Sequence, residues 1–213
     1  MKGLILKDLI IIKNNFKKIY LVILLFSILP GFQNKDYFLT ITTFIISMLL
    51  ASQVIAGITV DENNGWNKAV LSMPISIQKI VLSKYILTLL FSVISAIMLS
   101  LTGEIAKVLL DLEEYAVFLS VIEGFLLGII FNGINIPVTY RYGAEASKYF
   151  MLLFISVPVI LVYVFYFLHI DTNQIIVWVI KNKFFTMLGC IVGMIFLMCC
   201  SIKVSIASYR NRL

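Results

Sequence analysis

Charge is what this sequence has least of. Charged residues make up 13% of the 213, against roughly 25% in a soluble globular domain. Too few remain to coat the surface of an ordinary soluble fold, and that class is excluded. Histidine occurs once, at His169, with no second His or Cys at ligand spacing. Cys190, Cys199 and Cys200 all fall in the last apolar run. Their spacing fits neither a zinc site nor a redox CxxC, so they read as small apolar packing residues. No GxSxG elbow or HExxH pair is present, and with them go the commonest signatures of hydrolases and metalloproteases. GxxxxGK[ST] is also missing, so the chain cannot bind ATP through a P-loop. It reads as a non-enzyme with no catalytic residue, no metal site and no cofactor of its own. The first long apolar run ends in Leu29-Pro30-Gly31-Phe32 without an A-x-A-like cleavage site, so no cleaved signal peptide is expected.

Apolar residues are what it has in excess, at 61%. A membrane span needs roughly 20 of them in succession. Six runs qualify, at about 19–33, 38–60, 81–103, 115–138, 149–169 and 184–205, and they fill the chain as one transmembrane domain over residues 1–213. The predicted fold is all-α, an integral membrane bundle of six helices. The net charge of +6 does not point to nucleic acid, because the bases lie between apolar runs instead of on one face. They set orientation. With the N-terminus inside, Lys2, Lys7, Lys13, Lys17, Lys18, Lys68, Lys79, Lys84, Arg141, Lys148, Lys203, Arg210 and Arg212 are cytoplasmic. Only Lys35, Lys107, Lys181 and Lys183 are outside, so the split is 13 against 4. Both termini are therefore expected in the cytoplasm.

Ile5, Leu9, Ile12, Phe16 and Ile19 recur at helical spacing, while Lys7, Asp8, Asn14, Asn15 and Lys18 occupy the remaining surface. The pattern predicts an amphipathic interfacial helix over 1–18. Residues 61–80 form the longest cytoplasmic loop, with a turn signal at Asn64-Gly65 and then a short helix stopped near Pro74. The outer segment 170–183 carries a six-residue apolar stretch around Trp178, too short to span, and reads as an interfacial or re-entrant piece.

Glu123 is the one carboxylate placed well inside a run. An acid at that depth is costly and is expected to face the bundle interior or a wet path. Gly124, Gly128, Asn132 and Asn135 share one small, polar face of the same helix, suited to close packing or to lining a path. Glu123, Asn132 and Asn135 are therefore candidate translocation residues, and a carrier or channel working without ATP through Glu123 is the alternative reading. Gly124-x-x-x-Gly128 and Gly189-x-x-x-Gly193 match a helix-packing motif.

Three segments carry a family resemblance. Met1-Lys2-Gly3-Leu4 with Lys7-Asp8 resembles the N-terminus of small type-2 ABC exporter permeases. Asp61-Glu62-Asn63-Asn64-Gly65, then Leu71-Ser72-Met73-Pro74-Ile75-Ser76 and Ser83-Lys84-Tyr85, is similar to their acid-Asn-Gly, Leu-Ser-Leu-Pro-Ile-Ser, Ser-Lys-Tyr pattern. Ile136-Pro137-Val138-Thr139-Tyr140-Arg141-Tyr142-Gly143 is similar to the Pro-(apolar)-x-Tyr-Arg-(aromatic)-Gly segment after their fourth helix. Within that family the chain resembles permeases that export amphipathic peptides such as phenol-soluble modulins. It departs at Trp66, where a small residue is usual, and at Met73, which replaces leucine. The resemblance implies an exporter of an amphipathic peptide or lipid-like substrate in a bacterial cytoplasmic membrane. It also implies a coupling helix in the 61–80 loop, with Glu62, Asn64, Gly65, Trp66 and Leu71 in or beside the contact with a separate ABC ATPase. Two ATPase copies would carry ATP and Mg, and a second permease subunit would complete a homodimer or heterodimer within membrane lipid.

Overall fold

The computed structural model describes residues 2–13, 35–72, 75–110, 112–167 and 183–212. The first predicted span (19–33), residues 14–18 of the predicted interfacial helix, residues 170–182 of the outer segment and His169 lie outside the described residues. Those described are helical apart from short turns. In order they form α1 (residues 2–13), α2 (Lys35–Asn63), α3 (Trp66–Leu71), α4 (Ile77–Leu110), α5 (Glu114–Tyr142), α6 (Ala144–Phe167) and α7 (Lys183–Arg212). Among the described residues, four helices are long and apolar enough to cross a membrane: Phe38–Asn63, Ile77–Leu110, Glu114–Tyr142 and Ile191–Arg212.

The helices outrun the apolar segments that announce them. α4 has 34 residues, about 51 Å at 1.5 Å per residue, while a hydrocarbon core is roughly 30 Å thick. Hydropathy marks where lipid contact ends, but backbone hydrogen bonding continues into the polar flank. The turns follow local chemistry. Gly65 adopts φ 67°, a left-handed conformation that costs glycine little, and separates α2 from the six-residue α3. Ser72 closes α3, with both its N–H and its hydroxyl donating to the Ala69 carbonyl. Gly143, at φ 95°, turns the chain between α5 and α6.

α5 is the central helix, packed against α2, α4, α6 and α7. Its small residues permit this. A Cβ added at Gly124 would overlap Leu99 and Ser47, and one at Gly128 would meet the Ser92 hydroxyl at 2.8 Å. The first GxxxG pair is thus a packing surface within the chain. Around the second pair, Gly189 and Gly193, nothing among the described residues lies within 4 Å of an added Cβ.

One expectation for α1 changes. Its buried side is Leu4, Asp8 and Ile12, with Ile5 and Leu9 half-buried, while Leu6 and Ile10 are exposed. Asp8, which the apolar periodicity assigns to the polar surface, is 1% exposed. Its charge is met by Lys84 of α4 as well as by its neighbour Lys7, and sequence periodicity does not register the distant partner.

Candidate functional site

Described residues of the three sequence segments that carry the family resemblance meet at one end of the bundle. Lys84, one turn beyond the start of α4's apolar run, is 3% exposed and donates to Asp8 Oδ2 of α1 and Asp61 Oδ2 of α2, each at 2.8 Å. Lys7 pairs with the other oxygen of Asp61 and stands 3.3 Å from Asp8 Oδ1. Two cations and two carboxylates therefore close a neutral cluster. Buried ions are tolerated only when compensated in this way, since each carries a desolvation cost of several kcal/mol. The cluster fixes three elements to one another: α1, the end of α2 and the start of α4.

The loop after α2 is fastened on both sides. Lys7 Nζ lies 4.2 Å from the centre of the half-buried Trp66 ring, a cation–π contact that joins α3 to α1. Glu62 reaches the opposite way. Its Oε2 accepts from the Ala144 N–H at 2.9 Å, at the first turn of α6, and its Oε1 pairs with Arg212 of α7 at 2.5 Å. Arg212 also donates to the Thr139 carbonyl of α5. A second tie joins α4 to α7: the Tyr85 hydroxyl bonds Ser201 Oγ at 2.5 Å and Ser205 Oγ at 2.8 Å, and Ser201 bonds the Gly133 carbonyl of α5. Tyr140 packs against Tyr209 with ring centres 4.8 Å apart. Trp66 thus ties α3 to α1. Glu62, in the last turn of α2 just before the Gly65 turn, ties that end of the loop to α6 and α7.

The candidate residues separate into three groups. Glu62, Gly65 and Trp66 belong to this node, and Asn64, exposed, forms its turn with Gly65. Leu71 closes α3. Asn132 and Asn135 are buried on the α5 face (0% and 1% exposed), where both amide atoms of Asn132 and Oδ1 of Asn135 lack a hydrogen-bond partner among the described residues. Asn135 lines a groove of about 300 Å³ between α2, α5 and α6, with Ser52, Ile55, Thr59 and Met151 in its wall and Lys148 at its edge. Glu123 is brought to neither place. It is exposed on α5 and has no hydrogen bond or ion pair among the described residues. The structure adds Asp8, Asp61, Lys84 and Arg212, none of which sequence reasoning singled out as site residues. A lysine inside an apolar run was the available signal for Lys84. Arg212 had none, because its partner lies 150 residues away.

Residues 3–210 match the sequence family described as ABC-2 family transporter protein. The chain belongs to that family. Comparison with curated proteins and with solved structures found no match. The ABC-2 match covers nearly the whole chain, including the last third, where sequence motifs gave no support. An ABC-2 protein is a membrane subunit of an ABC transporter, and membership implies an ABC ATPase partner.

Proposed function

We propose that this chain is the permease subunit of an ATP-driven exporter, and that α3 is the element through which a separate ATPase drives it. One observation carries the reading: a six-residue helix, isolated between turns, is tied by Trp66 to α1, and Glu62 at the α2 end leading into it is tied to α6 and α7. A short rigid element joined to several long helices can convert a push into a rigid-body shift of the bundle. Glu62, Asn64, Gly65, Trp66 and Leu71 form or flank the contact. Two ATPase copies supply ATP and Mg, and a second permease subunit, identical or related, completes the membrane domain. The charge asymmetry of the loops favours a bacterial cytoplasmic membrane with both termini, and hence the α1–α3 node, on the cytoplasmic side.

The substrate class that fits is an amphipathic peptide or lipid-like molecule. The groove between α2, α5 and α6 is mostly apolar, offers the unpartnered Asn135 Oδ1 and has a cation at its edge, the combination an amphiphile needs. Asn135 and Asn132 are the proposed path residues on this face. Glu123 joins them on the proposal that a second subunit closes over its exposed side.

The test is co-reconstitution of the chain with its ATPase in vesicles. Trp66→Ala and Glu62→Gln are expected to leave basal ATP hydrolysis intact and to reduce ATP-dependent export. Export by the permease alone, driven by a pH gradient and abolished by Glu123→Gln, would overturn the proposal in favour of an ATP-independent carrier.

A further inference from the structure

The outward face of α7 carries a continuous stripe. Gly189, Val192, Phe196, Cys199, Lys203, Ile206 and Arg210 recur at alternating spacings of three and four residues, which places them on one side of a helix. Val192 is 57% and Phe196 69% exposed, and Cys199, Lys203 and Arg210 are also exposed. The opposite side (Ser201, Ser205, Tyr209) is buried in the bundle. The stripe is apolar for most of its length and doubly cationic at the end nearest the node. At that end Lys203 and Arg210 line a groove of about 500 Å³ with Gln78 of α4 and Ile206, Ala207 and Asn211 of α7.

Neither cation has an acidic partner among the described residues, and α7 contains no Asp or Glu. The bundle compensates Lys84 fully, so two uncompensated cations in a groove of a spanning helix call for an outside anion. A second copy of this chain does not supply it. Two permeases related by a two-fold axis along the membrane normal hold every residue at the same depth. Packing stripe on stripe would set Lys203 against Lys203 and Arg210 against Arg210, where low dielectric magnifies repulsion. A molecule with an anionic head and a long apolar tail matches the stripe end to end. Lys203 and Arg210 lie seven residues apart, about 10 Å along the axis, a span that a phosphodiester headgroup with its glycerol can bridge. The tail then lies along Cys199, Phe196 and Val192.

We infer that the α7 stripe is a binding site for an anionic phospholipid of the leaflet on the α3 side, with the phosphate held by Lys203 and Arg210. That this leaflet is the cytoplasmic one rests on the orientation proposed above; the site itself does not depend on it. Anionic lipid attracts each adjacent Lys or Arg by about five-fold in affinity.

The test uses the full chain in vesicles of phosphatidylglycerol and phosphatidylcholine, extracted in mild detergent and weighed by native mass spectrometry. Lipid from either leaflet is captured, so the readout is independent of topology and of the ATPase. Wild type is expected to retain phosphatidylglycerol over phosphatidylcholine. Lys203→Gln should lower that preference about five-fold and the Lys203→Gln/Arg210→Gln pair by more than ten-fold. The exchange Lys203→Arg/Arg210→Lys should preserve it, and Lys79→Gln, a cation outside the groove, should leave it unchanged. Undiminished retention in the double glutamine variant overturns the site. So does unchanged retention accompanied by loss of a permease dimer or of ATPase binding, since either would assign the groove to a protein partner.

Discussion

Lys84 and Lys203 both stand in apolar helices toward the same end of the bundle, and they have opposite fates. Lys84 is 3% exposed between two carboxylates supplied by two other helices. Lys203 is exposed beside another cation, with no carboxylate on its helix. The two glycine pairs repeat the contrast: Gly124 and Gly128 are sealed against α2 and α4, whereas Gly189 and Gly193 meet no neighbour among the described residues. One side of the molecule has settled its charges and filled its small-residue contacts internally. The other leaves both to its surroundings. On the proposals above, the first transmits force and the second meets lipid.

The comparison is broken most directly at Lys84. Lys84→Met leaves Asp8 buried with one partner fewer, and loss of one member of a buried ion cluster costs about 3–5 kcal/mol. Thermal unfolding in detergent should show it, and adding Asp8→Asn should recover part of the loss by removing the stranded charge. A smaller effect is expected at Gly124→Val, where crowding against Leu99 and Ser47 costs about 1–3 kcal/mol. The matching Gly189→Ala should cost nothing and can gain up to about 1 kcal/mol in helix propensity. Glu62→Gln removes a partly exposed pair with Arg212 and should cost at most about 1 kcal/mol of stability, so a large loss of ATP-driven export would separate transmission from folding. Lys203→Gln is the smallest, within about 0.5 kcal/mol in detergent. If it destabilised the protein as Lys84→Met does, the contrast between the two faces would be lost.

Much of the fold is legible along the chain because a span is a local property. The runs at 38–60, 81–103, 115–138 and 184–205 each fall inside a described helix, and the Asn64-Gly65 turn lies where its residues require it. The candidate site is legible in part. The resemblance set Glu62 and Trp66 beside an ATPase contact; the structure sets both in the node of interhelical ties. Asp8 was assigned to the wrong side of α1, because periodicity classifies an aspartate as a surface residue and takes no account of a lysine 76 positions away. Glu123 illustrates the reverse. Depth in the membrane follows from its sequence position, but its direction depends on which of α5's sides the neighbouring helices cover.

The sequence by itself determined that the chain is helical and membrane-embedded, and it marked a short element between the second and third apolar runs that is set apart by its turn. Each of these depends on residues within a turn or two of one another, through transfer free energy and backbone conformation. Only the tertiary structure decided which charges are paired. Pairing sets Asp8 beside Lys84 and Glu62 beside Arg212, across 76 and 150 residues, and leaves Lys203 and Arg210 facing outward. Coulomb attraction acts over a few ångströms of space, whatever the separation in sequence, and only the packing of the helices fixes that distance.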